Sequence, residues 1–354
     1  MLDALDRERW QPVVAAPEGP LLDEVRARKV PAHPLPFVPL RRPHGIADTL
    51  QMLPWLFRGR RELLRVAREV QPGLVHANTT SAMWYALALR AYPVIWQVRD
   101  LTPLGPLGGW MYRQATMIAA ISEAVRDSLL RYTRRGDTKI ILLPPAVDTA
   151  RFSPPAEHAA GRARLGLPAT DPLIGMVAQF VPWKNHHLFL DALELLSEQP
   201  WHAVLTGADL GRQTAYLAEL QERLASPPLR DRVTWLPWQS DPSQLFGTLD
   251  LCVLTSEREP FGRVLIEAMA SETPVVAIDS GGPREVVVQG KTGLLVPPTP
   301  MSLAAAITSL LDDPALRARY GREGRRRVET HFSLNSQRAA LDALYASVLE
   351  ETDQ

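Results

Sequence analysis

Short, largely apolar runs, each long enough for one strand, alternate with amphipathic stretches along this whole chain. That alternation limits the fold more than any other feature. A strand that is apolar on both faces must be covered on both faces, and parallel sheets flanked by helices do that. In the first half the runs are Pro12–Ala16, Leu35–Val38, Leu74–Ala77, Val94–Val98, Met117–Ile121 and Lys139–Leu143. In the second half they are Leu173–Ala178, His202–Thr206, Val233–Leu236, Leu251–Leu254, Pro274–Ile278 and Thr292–Val296. The chain has 354 residues, enough for two domains. The expected fold class is α/β, with two doubly wound, Rossmann-like domains.

The boundaries follow from composition. The Pro- and Gly-containing stretch from Pro154 to Pro172 reads as a linker. Residues 1–165 form the expected first domain, 166–332 the second, and 333–354 a terminal helix. Apolar residues make up 46% and charged residues 22%, as in a globular enzyme. A net charge of +0 argues against bulk nucleic-acid affinity. Cys252 is the only cysteine, which excludes a disulfide framework and a thiolate metal cage and points to a reducing cytosol. The histidines show no metal-ligand spacing, and no cofactor is expected. No apolar run approaches the length of a membrane span.

Chemistry concentrates in Ser256–Ala270. Glu267 stands alone in the apolar run Val264–Ala270, and Glu259 precedes it by eight positions, just before a Pro and a Gly. A buried carboxylate needs donors. Arg263, four positions before Glu267, could point outward, which leaves ligand hydroxyls. Carboxylates about 12 Å apart along a helix entry suit a long polyhydroxylated ligand. The next run ends in Asp279-Ser280-Gly281-Gly282-Pro283, where glycines allow close approach and Pro283 suits a first helical turn. Free N–H groups at such a start form an anion site. Together these features imply a nucleotide sugar.

These residues resemble the retaining glycosyltransferases of family 4 (GT4), which have the GT-B fold. The resemblance rests on the Glu259/Glu267 pair, Phe261-Gly262, Glu267-Ala268-Met269-Ala270 and the Gly281-Gly282 turn with Glu285. Val147-Asp148-Thr149-Ala150-Arg151-Phe152-Ser153-Pro154 is similar to that family's interdomain signature. The likeness covers nearly the whole chain and is strongest over residues 141–300.

The resemblance implies sugar transfer from a nucleoside diphosphate sugar with retention of configuration and without a metal. A UDP-sugar is favoured and a GDP-sugar is the alternative. Glu267 would bind the ribose, and Glu259 the donor sugar near the leaving phosphate. Lys184 and the helix start at Gly281-Gly282 would hold the diphosphate. Gln179 replaces the usual arginine five positions before Lys184, so a neutral amide stands where a charge is expected. Phe261, Gly262, Arg263, Val264 and Trp238 complete the expected donor site, and Glu259 and Lys184 are its expected catalytic groups. Acceptor-side candidates are Asn78, Gln97 and Arg99, at the ends of two first-half strands; Gln97 stands at or near a position where relatives often carry histidine. His76 and Asn78 are equally explained as strand-end hydrogen-bonding residues. The acceptor would be a saccharide, a lipid or a small molecule.

Three further expectations follow. Met1–Trp10 is similar to the last turns of the family's first helix, so the first domain is expected to lack a central strand and a Gly-rich loop. Neighbouring strands would then face a gap or pair directly. The cleft would be open, acceptor selection loose and transfer slow, with water competing; the alternative is a low-activity nucleotide-sugar-binding protein or a donor hydrolase. Trp55–Arg68 is basic and partly aromatic, which fits either a solvated helix face or weak contact with an anionic membrane at its cytoplasmic side, with Pro54 and Gly59 weakening the helix. Gly105–Gly109 reads as a loop.

Overall fold

The structure is a computed structural model that describes residues 1–37, 46–101, 104–133, 139–155, 158–196, 199–209, 211 and 213–352, with the backbone alone for 46–53, 158–159 and 352. The chain divides into two compact units, Met1–Pro144 with Gln337–Gln354, and Pro145–Ser336.

The first unit contains β1 (Val14–Ala16), α1 (Pro20–Ala27), β2 (Ala32–Pro34), α2 (Ile46–Val70), β3 (Val75–Ala77) and α3 (Thr80–Ala86). It continues with β4 (Val94–Val98), α4 (Gly105–Gln114), β5 (Met117–Ala120), α5 (Glu123–Leu129) and β6 (Ile140–Leu142). Its strands form two parallel ladders, β1-β2 and β3-β4-β5-β6. Among the described residues β1 and β3 are not paired. Met1–Trp10 forms hydrogen-bonded turns, with Ala4 N donating to Met1 O and Trp10 N to Asp6 O, and is not the end of a helix.

Two local expectations are corrected here. Strand β2 covers Ala32–Pro34, not Leu35–Val38, of which Val38 lies outside the described residues. Pro34 pairs opposite Ala16, and Leu35 N then donates to Ala16 O. An edge strand tolerates this proline because its other side needs no donor. Gly105–Gly109 opens helix α4 and is not a loop; Gly108 lies where a Cβ would stand 2.7 Å from the Tyr132 ring.

Helix α2 runs unbroken past Pro54 and Gly59. Gly59 is required by packing: a Cβ there would lie 2.4 Å from both Pro36 O and the Tyr85 ring. Close approach of the segments at Pro36 and Tyr85 outweighs the propensity penalty of about 1 kcal/mol.

The second unit contains α6 (His158–Arg164), β7 (Leu173–Val177), α7 (His186–Glu194), β8 (His202–Thr206), α8 (Thr214–Leu224), β9 (Val233–Trp235) and α9 (Ser243–Thr248). Then follow β10 (Leu251–Leu254), α10 (Arg263–Ala270), β11 (Val275–Ile278), α11 (Pro283–Val286), β12 (Gly293–Val296), α12 (Pro300–Leu311) and α13 (Pro314–His331). The sheet is parallel in the order β12-β11-β10-β7-β8-β9, so its order reverses between β7 and β10. The central strands β8, β10 and β11 are buried at every residue, as the apolar runs require. Phe189, Trp201 and Phe246 are wholly buried between sheet and helices.

The expected linker belongs to this unit, and the division falls before residue 145 and not after 165. Arg162 of α6 is buried, and its guanidinium donates to Asp250 and to the carbonyls of Asp171 and Thr248. A buried guanidinium so satisfied ties the segment to β10. The last helix, α14 (Leu334–Thr352), belongs to the first unit from Gln337 onward. There Trp10 Nε1 donates to Asp342, and Trp10 and His76 meet the Tyr345 ring edge-on.

Candidate functional site

Ligand sites in open parallel sheets form beyond the carboxyl ends of strands, where the order reverses. The loops after β7 and β10 meet there in the second unit. After β7 a tight turn, Pro182–Lys184, leads to Asn185. Asn185 is left-handed at φ 53°, a conformation asparagine tolerates, and its Oδ1 accepts from Leu188 N as the N-cap of α7. Its amide donates to Glu257 Oε1 at 3.2 Å, and Thr255 Oγ1 donates to Lys184 O at 2.7 Å. The two loops are thus fastened side by side.

That fastening puts Lys184 Nζ 2.6 Å from Glu259 Oε2, with both side chains largely buried. The ammonium also lies 4.1 Å from the centre of the Trp183 ring. Gln179 stands just before this turn, half-buried, with its carbonyl accepting from Val181 N.

Helix α10 starts after Gly262, whose φ of 92° only glycine adopts readily. Glu259 therefore precedes the helix, and a helical rise does not measure its distance from Glu267. Arg263 does not leave Glu267 alone: its guanidinium donates to Glu267 Oε1 at 3.2 Å. Burial still dominates and holds the Glu267 carboxyl above its ordinary range, with Arg263 opposing. Glu267 and Arg263 line a cleft of about 290 Å³ together with Arg151, Trp238, Gln239 and Ser240. Val264 is half-buried beside them. The Phe261 side chain is buried and packs edge-on against Phe332, which leaves its backbone for any ligand.

The glycine turn serves packing first. A Cβ on Gly281 would lie 2.6 Å from Glu259 O, and one on Gly282 would lie 2.3 Å from Phe261 Cα. Gly282 N donates to Glu259 O at 2.9 Å, and α11 is only one turn long. This helix start therefore offers fewer free donors than its sequence suggests. Its visible role is to bring the Glu259 loop against the end of β11.

In the first unit the expected acceptor-side residues come together. Pairing of β3 with β4 sets Asn78 beside Gln97, and the Arg99 guanidinium donates to Asn78 Oδ1 at 2.6 Å and Gln97 Oε1 at 3.2 Å. His76 lies on the same face; its Nδ1 is 2.8 Å from the Tyr345 hydroxyl, and burial pushes its pKa down to about 4. Among the described residues no three His, Cys, Asp or Glu side chains gather so as to hold a metal ion.

Residues 1–151 match the model of Glycosyltransferase Family 4, and residues 159–327 that of Glycosyl transferases group 1. The lipopolysaccharide core biosynthesis mannosyltransferase LpcC of Rhizobium leguminosarum bv. viciae is 32% identical over 243 residues, covering 68% of this chain and 67% of that protein. The chain belongs to the family 4 glycosyltransferases. A D-inositol 3-phosphate glycosyltransferase of Kineococcus radiotolerans is 37% identical over 232 residues, 61% of this chain and 53% of the relative. The match thus spans between about half and two thirds of these relatives' length.

Solved structures agree on the fold. Anabaena HepE, solved in complex with UDP and glucose, superposes with a TM-score of 0.82 at 23% identity over 96% of this chain and 94% of that one. Sucrose-phosphate synthase from Thermosynechococcus elongatus gives 0.79 at 25% identity over 90% and 84%. The fold is GT-B, with two Rossmann-like domains. Four further residues stand at the site of this family 4 chain without a role legible in the sequence: Asn185, Glu257, Arg151 and Asp241. Asn185 carries a signal, as an N-cap residue before an apolar stretch; Glu257 and Arg151 stand inside the motifs quoted above without a stated role, and Asp241 is marked only by its place in space.

Proposed function

We propose that this chain transfers a sugar from a nucleoside diphosphate sugar, a UDP-sugar first, to an acceptor with retention of configuration. The observation that carries this is the Lys184–Glu259 pair standing on the same sheet edge as the Glu267 cleft. The charged residues lining that cleft are Arg151, Arg263 and Glu267, and Asp241 pairs with Arg151. The charges balance, which suits an uncharged nucleoside. The diphosphate would then meet Lys184, which releases Glu259 to the sugar hydroxyls. Gln179 and the Phe261–Gly262 backbone complete the donor contacts. No side-chain nucleophile takes part; the residues stabilise the departing diphosphate and position the acceptor on the same face. The complex of HepE with UDP and glucose and the names of the sugar-transferring relatives support this donor class.

Calorimetry with UDP tests the reading. Glu267→Ala should weaken binding by roughly 1.5–3 kcal/mol, the value of a hydrogen bond to a charged group. Unchanged affinity in a folded variant would refute it. Transfer is proposed to be metal-independent, because Lys184 supplies the positive charge; loss of activity in EDTA restored only by Mg²⁺ or Mn²⁺ would contradict that. The alternative, a donor hydrolase with feeble transfer, is not favoured by the sugar-transferring relatives. Radiolabelled donor with and without acceptors separates the two: acceptor-independent release at the full rate supports hydrolysis.

Membrane contact is proposed for α2, at the cytoplasmic face. Trp55 and Phe57 are 51% and 69% exposed, among the exposed Arg58, Arg61, Arg65 and Arg68. The inward stripe of this helix is Gly59, Val66 and Ala67. A solvated face accounts for the arginines but not for outward aromatics. Equal sedimentation with phosphatidylglycerol and phosphatidylcholine vesicles would refute it. Among the described residues no helix is long and apolar enough to cross a membrane.

A further inference from the structure

The cleft that holds Glu267 is lined by the loop between β9 and α9, and among the described residues the bonds that fasten that loop lie towards its two ends. At its start Thr206 Oγ1 donates to Pro237 O at 2.9 Å, and Gln239 Nε2 donates to the same carbonyl. At its far end Asp241 Oδ1 accepts from Ser243 N, ahead of α9, and from Arg151. Arg151 comes from a segment remote in sequence, 90 positions earlier. Its Nη2 lies 3.0 Å from Asp241 Oδ1, and its guanidinium sits 5.5 Å from the Phe152 ring centre. Arg151, Phe152 and the loop residues Trp238, Gln239 and Ser240 all line the cleft. The ion pair is therefore a clasp that ties the end of the loop to Arg151, which lines the same cleft. Between the two fastenings stands Trp238, which is 61% exposed.

We propose that the Arg151–Asp241 clasp sets the width of this cleft and makes the chain prefer pyrimidine to purine nucleotides, with the Trp238 indole as the stacking face for the base. This rests on the donor reading above. The volume, about 290 Å³, lies at the small end for ligand pockets. A purine carries a second fused ring, which needs the loop to move outward, and the clasp opposes that movement. Arg151 and Asp241 are positioning residues here. Both are about half exposed, so the clasp is a modest restraint and should bias selection without being needed for folding.

The test is calorimetry of UDP and GDP on the whole chain. The wild type should bind UDP more tightly. Arg151→Ala should narrow the UDP/GDP ratio by about two- to fivefold, mainly by gaining GDP. The charge-reversed pair R151D/D241R should restore the ratio. Trp238→Ala should weaken both nucleotides. A merely structural Arg151 would lower the melting temperature or weaken both nucleotides equally, leaving the ratio unchanged, and that result would overturn the inference. A wild type that prefers GDP would also overturn it. Glu267→Ala serves as the separate control. Nucleotide binding that needs Glu267 but ignores Arg151 removes this inference alone. No nucleotide binding at all removes the donor reading and this inference with it.

Discussion

Lys184→Met should destabilise the second unit by about 3–5 kcal/mol, the cost of stranding one member of a buried ion pair. The figure follows from the geometry. At 2.6 Å the Lys184–Glu259 attraction is on the order of 6 kcal/mol at an effective dielectric of about 20. Removing two charges from water offsets most of that, because the side chains are only 14% and 9% exposed. Deleting Lys184 leaves the offset for Glu259 and loses the attraction. Glu259→Gln should cost less, because Lys184 keeps the Trp183 ring 4.1 Å away. The double variant K184M/E259Q should recover about 2 kcal/mol or more relative to the sum of the singles, since no charge is then stranded. Urea unfolding measures this. A chain of two units need not unfold in one step, so the transition to follow is the one that UDP shifts. Additivity of the two singles to within about 0.5 kcal/mol would refute a coupled, buried pair.

Glu267→Gln should raise the melting temperature at neutral pH while weakening UDP. Burial holds the Glu267 carboxyl above its unfolded value, so the folded state loses stability as pH rises through that pKa, and the amide removes this loss. Melting curves of both proteins from pH 4 to 8 should converge at the acid end; parallel curves would contradict the cause. Asn185→Ala should cost about 1–2 kcal/mol through the left-handed backbone and the lost cap, and Asn185→Gly distinctly less, because glycine adopts φ 53° freely. Equal losses in thermal melts would show that the tie to Glu257 matters more. Gln179→Arg should tighten UDP binding or speed transfer, as a charge joins Lys184 at the phosphates; no change in either would place residue 179 away from the diphosphate.

Much of this fold was legible in short apolar runs. Val94–Val98, His202–Thr206 and Leu251–Leu254 form strands at the bounds expected. Runs of this kind are self-declaring, because a strand buried on both faces is mostly apolar and its few polar residues, such as Gln97 and Thr206, are hydrogen-bonded. The readings that failed were those where a distant segment decides. Gly59 and Pro54 look like helix breakers, yet α2 continues because Tyr85 and Pro36 press against Gly59. Residues 154–172 look like a linker, yet Arg162 anchors them to Asp250.

The site divides along the same line. Sequence alone determined which residue types could handle a nucleotide sugar: a lone carboxylate in an apolar helix, a lysine at a tight turn, and two glycines between strand and helix. Those signals are local, since each depends on neighbours within a turn or two. Only the tertiary structure decided what each group faces. It gave Glu267 an arginine partner, spent the Gly282 N–H on Glu259, set Lys184 against Glu259, and brought Arg151 across to Asp241. The physical reason is that charge and hydrogen bonding act over a few ångströms of space, while the partners stand up to 90 positions apart along the chain.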